Sequence, residues 1–451
     1  GKKIEEEEEE TGNVEVFELI VEDNGSGMAY KEIPFLMGQV LTSTKYELRQ
    51  QRGRFGLGGK MVLIYSIKET GTPIEIWSKK PEDNFVSHYI LTIDLQKNEP
   101  IVLLKKRIPK NKFRDPWGKK LEHGTIIKVY ILGDWKRAKK YVYDYFKLMA
   151  VITPYATFVF EDPDGNVIIY ERVTKEMPPA PKSVKYHPQG IDTQILRSLL
   201  EQTKAKTIKK FFLKEFQGVT SKLIDEFLSI IGLDPNMPVE EVRNNRNLIA
   251  SIVEVARNFK FRSPKASALS PIGPKLLEEG IRKIFEPEFV YVIQRKPVSY
   301  MGHPMIVEIG VAYGGKIPTG INLYRFANRV PLLHKEKSDV SWKVIEKINW
   351  NKYKINKDED SLAIFISVVS TKIPFSETSK DYMDDVDVLR NEIRLGLLQA
   401  LRRLREYINK KTRITRMLKK RRMFLHYAGN LARSISSILK TDEKYLSLIH
   451  I

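Results

Sequence analysis

The chain of 451 residues contains no cysteine. That absence excludes a disulfide scaffold, a thiolate zinc site and a cysteine nucleophile together, and it fits an intracellular protein. No run of roughly 18 or more apolar residues occurs, so neither a membrane-spanning helix nor a membrane partner is expected. No basic segment followed by an apolar core opens the chain, and no signal peptide is expected. Solenoid-type repeats are missing too. Acid is in short supply: 56 Asp and Glu stand against 76 Lys and Arg, a formal net charge of +20. Such an excess suggests a polyanionic partner, although a highly soluble protein or a lysine-rich proteome would give the same balance.

What is present has the composition of a folded protein, with 42% hydrophobic, 29% charged and 10% aromatic residues. The length suits about two to four domains. The ends are unusual. Gly1 stands where Met is expected, and Glu5 to Glu10 form an unbroken acidic run before Val14–Val21, which reads as a strand. The chain is therefore expected to start inside a domain, in a hairpin. Leu446–Ile451 matches the translation of a common sequencing adapter, so a partial gene with a non-native tail at 446–451 is expected.

Between the ends, residues 14–135 alternate strands with glycine-rich turns and short helices. Asp162-Pro163-Asp164-Gly165 predicts a hairpin turn between Ala156–Phe160 and Val167–Tyr170. A proline cluster (Pro178, Pro179, Pro181, Pro188) marks a linker. Leu213, Phe216, Leu223, Phe227 and Ile230 recur at helical spacing until Gly232, which predicts a small helical module over 191–260. Strands return at Met305–Val311 and Leu362–Val369. Leu389, Ile393, Leu397, Leu401, Leu404 and Ile408 fall on one face of a long helix.

Two glycine clusters carry the chemistry. Asp23-Asn24-Gly25-Ser26-Gly27 follows the first strand. An Asp there can accept a hydrogen bond from an exocyclic amine, and the glycines let backbone approach a flat ring. An ordinary hairpin turn would read the same way. The second cluster is Gly53-Arg54-Phe55-Gly56-Leu57-Gly58-Gly59-Lys60, before the apolar run Met61–Tyr65. Glycines ahead of a helix leave N–H groups free for phosphate, and Lys60 adds positive charge. A Walker loop is excluded, because Arg54 and Met61 occupy positions that need Gly and Ser or Thr. The dinucleotide fingerprint fails at Met61 as well.

The two clusters in this order resemble the Bergerat-type (GHKL) ATP-binding fold of gyrase, heat-shock chaperones, histidine kinases and mismatch-repair ATPases. Longer stretches resemble the topoisomerase VI B-subunit family specifically: Val40–Tyr46, Gly133-Asp134-Trp135, Ile152–Ala156, Lys296-Pro297 through Gly302-His303-Pro304, Gly310–Gly315 and Ser370–Phe375. That resemblance implies an α+β protein: an α/β-sandwich ATPase domain over 1–188, a helix-two-turns-helix domain over 189–266, and a ribosomal-protein-like α/β transducer over 267–445. It implies ATP and Mg²⁺ as cofactors. Asp23, Gly25 and Gly27 would hold adenine, with Thr125 of the Gly-Thr element supporting the Asp; Gly-Thr before a strand is also a common turn. Gly53, Arg54, Phe55, Gly56, Leu57, Gly58, Gly59 and Lys60 would form the lid over the phosphates, which Thr44 and Lys45 approach.

By the same resemblance Lys372, just after the strand 362–369, would be the catalytic lysine that reaches the γ-phosphate; a solvated loop lysine is the plain alternative. The family's general-base Glu and Mg²⁺-binding Asn lie upstream of the 22 residues that precede Asp23, so no metal ligand is expected here and the chain alone is expected to bind ATP poorly and not to hydrolyse it. The implied partners are the family's A subunit, in an A2B2 assembly, a second B subunit on ATP binding, and double-stranded DNA without sequence preference. Localisation would be cytoplasmic, at the nucleoid. Between Arg402 and Arg422, Lys or Arg stands at 402, 403, 405, 410, 411, 413, 416, 419, 420, 421 and 422 against the single acid Glu406. This stripe can neutralise phosphates, dock an acidic partner or simply be solvated. No Tyr or Ser setting marks a DNA-cleaving nucleophile, which the family keeps in its A subunit. An ATP-binding clamp or scaffold without hydrolysis, and a chaperone-type ATPase, stay as alternatives.

Overall fold

The computed structural model describes residues 14–38, 48–51, 57–94, 96–97, 99–376 and 380–439. Residue contacts divide the chain into two compact units. The first takes the chain up to Phe146, then Phe160–Ile168 and Lys182–Arg262; the second takes Lys147–Val159, Ile169–Pro181 and the chain from Ser263 on.

In the first unit the chain forms β1 (Glu15–Asp23), α1 (Ile33–Gly38), α2 (Leu57–Thr70), β2 (Ile74–Lys79), β3 (Phe85–Asp94), β4 (Glu99–Pro109) and β5 (Gly124–Gly133). The strands make one antiparallel sheet in the order β1-β5-β2-β3-β4. Strand alternation explains its layers. Ile74, Ile76, Tyr89, Leu91 and Val129 point to one face and bury with Ile33 and Leu63 of the helices. Val86 and Ile126 point to the other and bury with Phe113 and Leu121. Next come α3 (Trp135–Ile152) and the hairpin β6 (Phe158–Glu161) and β7 (Val167–Tyr170), closed at the predicted turn by Asp162, whose carboxylate accepts from the amides of Asp164 and Asn166.

The helical module holds α4 (Thr193–Gln202), α5 (Ile208–Glu215), α6 (Ser221–Ile231), α7 (Val239–Arg243) and α8 (Arg246–Asn258). Asp192, Thr207, Thr220 and Asn245 cap four of these helices by accepting first-turn N–H bonds. The single helical face expected from the spacing needs correction. Leu213 lies in α5, which Phe216 caps at its C-terminal end, whereas Leu223, Phe227 and Ile230 lie in α6, which begins at Ser221. Leu213 and Ile230 are exposed, while Phe211, Phe212, Ile224 and Leu228 join Phe216 and Phe227 in the core. A break in the chain resets the helical phase, so one face cannot be extrapolated across it. Gly232 does end α6, in a left-handed conformation.

The second unit holds α9 (Pro274–Phe285), β8 (Phe289–Gln294), β9 (Val298–Tyr300), β10 (His303–Tyr313), β11 (Gly320–Ala327), β12 (Val330–Leu332), α10 (Val340–Glu346), β13 (Ser361–Ser370) and α11 (Asp387–Leu439). Its sheet runs β12-β11-β13-β10-β8, with β9 paired to β10 and only β11 and β13 parallel. β10 and β13 are largely apolar on both faces because both faces are covered. One face packs against α10 and the predicted stripe of α11 from Leu389 to Leu404. The other packs against α9 and the end of α3. Among the described residues no helix is long and apolar enough to cross a membrane.

Candidate nucleotide site

Asp23 is the last residue of β1, and its Cα partner across the ladder is Thr125 of β5. The carboxylate is exposed, and one oxygen, Oδ1, accepts the Gly25 amide at 2.8 Å. This is an Asx turn, and among the described residues nothing else bonds the group. Oδ2 is therefore a fixed, unspent acceptor, as an adenine amine requires. Three contacts hold the loop that follows. The Gly25 carbonyl accepts from His123 Nδ1 at 2.9 Å, which places the Nδ1 proton on the imidazole. The Met28 amide donates to Ser78 Oγ at 2.8 Å. Gly27 sits with φ +69 against the Lys79 carbonyl, where a Cβ would lie 2.2 Å from the oxygen.

Ser78 is the hub beneath this loop. Its hydroxyl is fully buried, donates to the Gly124 carbonyl at 3.1 Å, and lies 3.0 Å from Thr125 Oγ1. A hydroxyl has one proton, so with Ser78 donating to Gly124 the Thr125 hydroxyl must donate to Ser78. Thr125 thus supports Asp23 by strand pairing and holds the Ser78 hub with its side chain. Gly124 and Thr125 are part of β5, not a turn ahead of it. Ser78 carries no signal in the sequence, and His123 is legible only as the residue before the Gly-Thr element. Ser78 is one small polar residue in an amphipathic strand, and only the fold brings it under Asp23.

The lid cluster is partly described. Thr44, Lys45, Gly53, Arg54, Phe55 and Gly56 lie outside the described residues. Leu57, Gly58, Gly59 and Lys60 lie within α2, as its first described residues, and do not precede it. Burial holds the Lys60 amine below its usual range.

Lys372 belongs to the second unit, exposed in the loop after β13. α11 carries every cation of the 402–422 stripe, and from Lys410 to Arg422 each of them is exposed. Lys354, Arg413, Arg416 and Lys420 line one hollow beside it. Among the described residues no three His, Asp or Glu gather where they could share a metal ion.

Residues 3–113 match the family model "Histidine kinase-, DNA gyrase B-, and HSP90-like ATPase", and residues 264–421 match "Topoisomerase VI B subunit, transducer". The chain is 40% identical over 440 residues to the type 2 DNA topoisomerase 6 B subunit of Metallosphaera sedula, covering 96% of this chain and 80% of that protein. The same-named protein of Saccharolobus islandicus is 38% identical over 436 residues, with the same coverage. The 43K ATPase domain of Thermus thermophilus gyrase B, 12% identical, covers 93% of this chain and 84% of that chain with a TM-score of 0.34, too slight a likeness to carry weight.

Proposed function

The chain belongs to the family of type 2 DNA topoisomerase 6 B subunits, and from that premise we propose that it is the nucleotide-binding clamp of a type IIB DNA topoisomerase, working with the A subunit of that enzyme. The observation that carries the reading is a single one: an ATPase model and a transducer model match the same chain in order, within a relative aligned over 96% of it. A chaperone of the same ATPase fold does not account for the transducer match.

The residues act as follows. Asp23 accepts the exocyclic amine of adenine through its free Oδ2, and Gly25 and Gly27 keep the backbone low enough for the ring to approach. Gly58, Gly59 and Lys60 of α2 meet the phosphates. Lys372 pairs with the γ-phosphate, so its partner is present before hydrolysis and gone afterwards, and the transducer can read that difference. ATP supplies the bond whose cleavage resets the clamp. Mg²⁺ would accompany the ATP, with no residue of this chain assigned to it.

Two copies closing on ATP hold a second duplex while the A subunit opens the first. The α11 cations contact DNA phosphates without reading bases, which suits an enzyme that must act on any sequence. We place this work in the cytoplasm, at the nucleoid. The decisive variant is Lys372→Ala in an A2B2 assembly whose B subunit is intact and carries the family's general-base helix. Folding should be intact and ATP turnover lost; normal turnover removes Lys372 from the site.

A further inference from the structure

Gly302-His303-Pro304 is among the stretches that carry the family resemblance, yet the proposed clamp gives it no task. Met301 and Gly302 both take left-handed backbone, φ 47 and 76, and make the tight turn from β9 into β10. The turn delivers His303 into the interior, 4% exposed. There its Nδ1 lies 2.8 Å from Thr371 Oγ1. Thr371 is the residue before Lys372.

The rest of the loop is fixed as closely. Ser370 Oγ accepts the Lys372 amide and donates to the Lys372 carbonyl, both at 3.1 Å. The Ser370 amide donates to Asn328 Oδ1 at 2.9 Å. Ile373 returns to the core, 7% exposed. Lys372 is thus one exposed residue whose backbone is pinned on both sides. A lysine on a fixed base loses only side-chain freedom when it meets a phosphate, whereas one on a loose loop must also order the loop.

We infer that His303 is a positioning residue for Lys372: through the Thr371 hydroxyl its imidazole fixes the Ser370–Ile373 turn that presents the ammonium to the γ-phosphate. This rests on the reading that Lys372 senses that phosphate.

The test uses an A2B2 assembly built with an intact B subunit that carries the general-base helix, and four variants. His303→Ala removes the imidazole, and Thr371→Val removes the hydroxyl with little change of shape. His303→Asn puts an amide where Nδ1 stood, and Lys372→Ala is the reference. Loss of one such bond should lower kcat for ATP about tenfold in His303→Ala and Thr371→Val. Affinity for a non-hydrolysable ATP analogue should fall, while affinity for ADP, which lacks the γ-phosphate, should not. His303→Asn should recover most of kcat, and the His303→Ala/Thr371→Val double variant should lose no more than either single one. A purely structural histidine would lower the melting temperature and leave the analogue-to-ADP affinity ratio at its wild-type value, which overturns the inference. If Lys372→Ala abolishes turnover while Thr371→Val keeps wild-type kcat, the positioning role fails and the Lys372 reading stands. If Lys372→Ala turns over normally, both fail.

Discussion

Gly27→Ala should damage the nucleotide site from beneath. At φ +69 any residue with a Cβ is strained, at a cost of about 1–2 kcal/mol. The new Cβ would also sit 2.2 Å from the Lys79 oxygen and 2.6 Å from its carbonyl carbon. That backbone cannot easily retreat. Lys79 ends β2 opposite Gly124 of β5, is 3% exposed, and its ammonium is held by the Glu122 and Lys80 carbonyls. Overpacking of this kind adds about 1–3 kcal/mol, for a total near 2–5 kcal/mol. Gly165→Ala is the control, because φ there is +83 but nothing lies within 4 Å of the added Cβ. It should cost only the conformational term. Urea melts followed by circular dichroism give the two stabilities, and titration with a fluorescent ATP analogue gives the affinities. Gly27→Ala should exceed Gly165→Ala by about 1–3 kcal/mol and should alone weaken the analogue. Equal destabilisation with unchanged affinity would refute this picture of the loop.

Three further outcomes are expected. Replacing Arg413, Arg416 and Lys420 by Gln should flatten the salt dependence of duplex binding by about 0.9 in log–log slope for each phosphate no longer neutralised; an unaltered slope rules out DNA binding there. Glu308 is fully buried in β10, where it accepts the Ile272 and Gly273 amides, and burial raises its carboxyl to about 7. The folded state therefore favours the proton, so the stability this group contributes is full below its ordinary value of 4.5 and is lost as pH rises toward 7, by about 3 kcal/mol. Glu308→Gln should remove that slope, and identical pH–stability curves for the two proteins would contradict it. Asp339→Ala strands the Arg325 guanidinium, 1% exposed and paired at 3.1 Å, and should cost about 3–5 kcal/mol in a denaturant melt; a loss under about 1 kcal/mol would show the pair to be dispensable.

The parts of the molecule legible in the sequence are those fixed by local pattern. β10 and β13 announce themselves as β-branched runs, α11 by a stripe at steps of three and four, and the 162–165 turn by its Asp-Pro-Asp-Gly. Asp23 and Gly27 are readable because a strand followed by Asp-Asn-Gly limits what the backbone can do. The buried face of α5 and α6 is not readable, because Phe216 ends one helix as its C-cap and no periodicity survives that break. The helical state of Gly58 and Gly59 is not readable, because glycine weakens the helical signal without forbidding a helix. The tasks of Ser78, His123 and His303 are beyond reach for another reason. Each acts on a residue far away in the chain, Thr125, Gly25 and Thr371, and only strand pairing brings those partners together.

The central claim is that Asp23 and Lys372 serve one ATP-driven clamp. It is tested most directly by relaxation of a supercoiled plasmid by an A2B2 assembly built with an intact B subunit that carries the family's general-base helix, with and without ATP. Wild type should relax the plasmid only with ATP, and Asp23→Ala and Lys372→Ala should each abolish relaxation while still forming that assembly. ATP-dependent relaxation at the wild-type rate by either variant would contradict the claim.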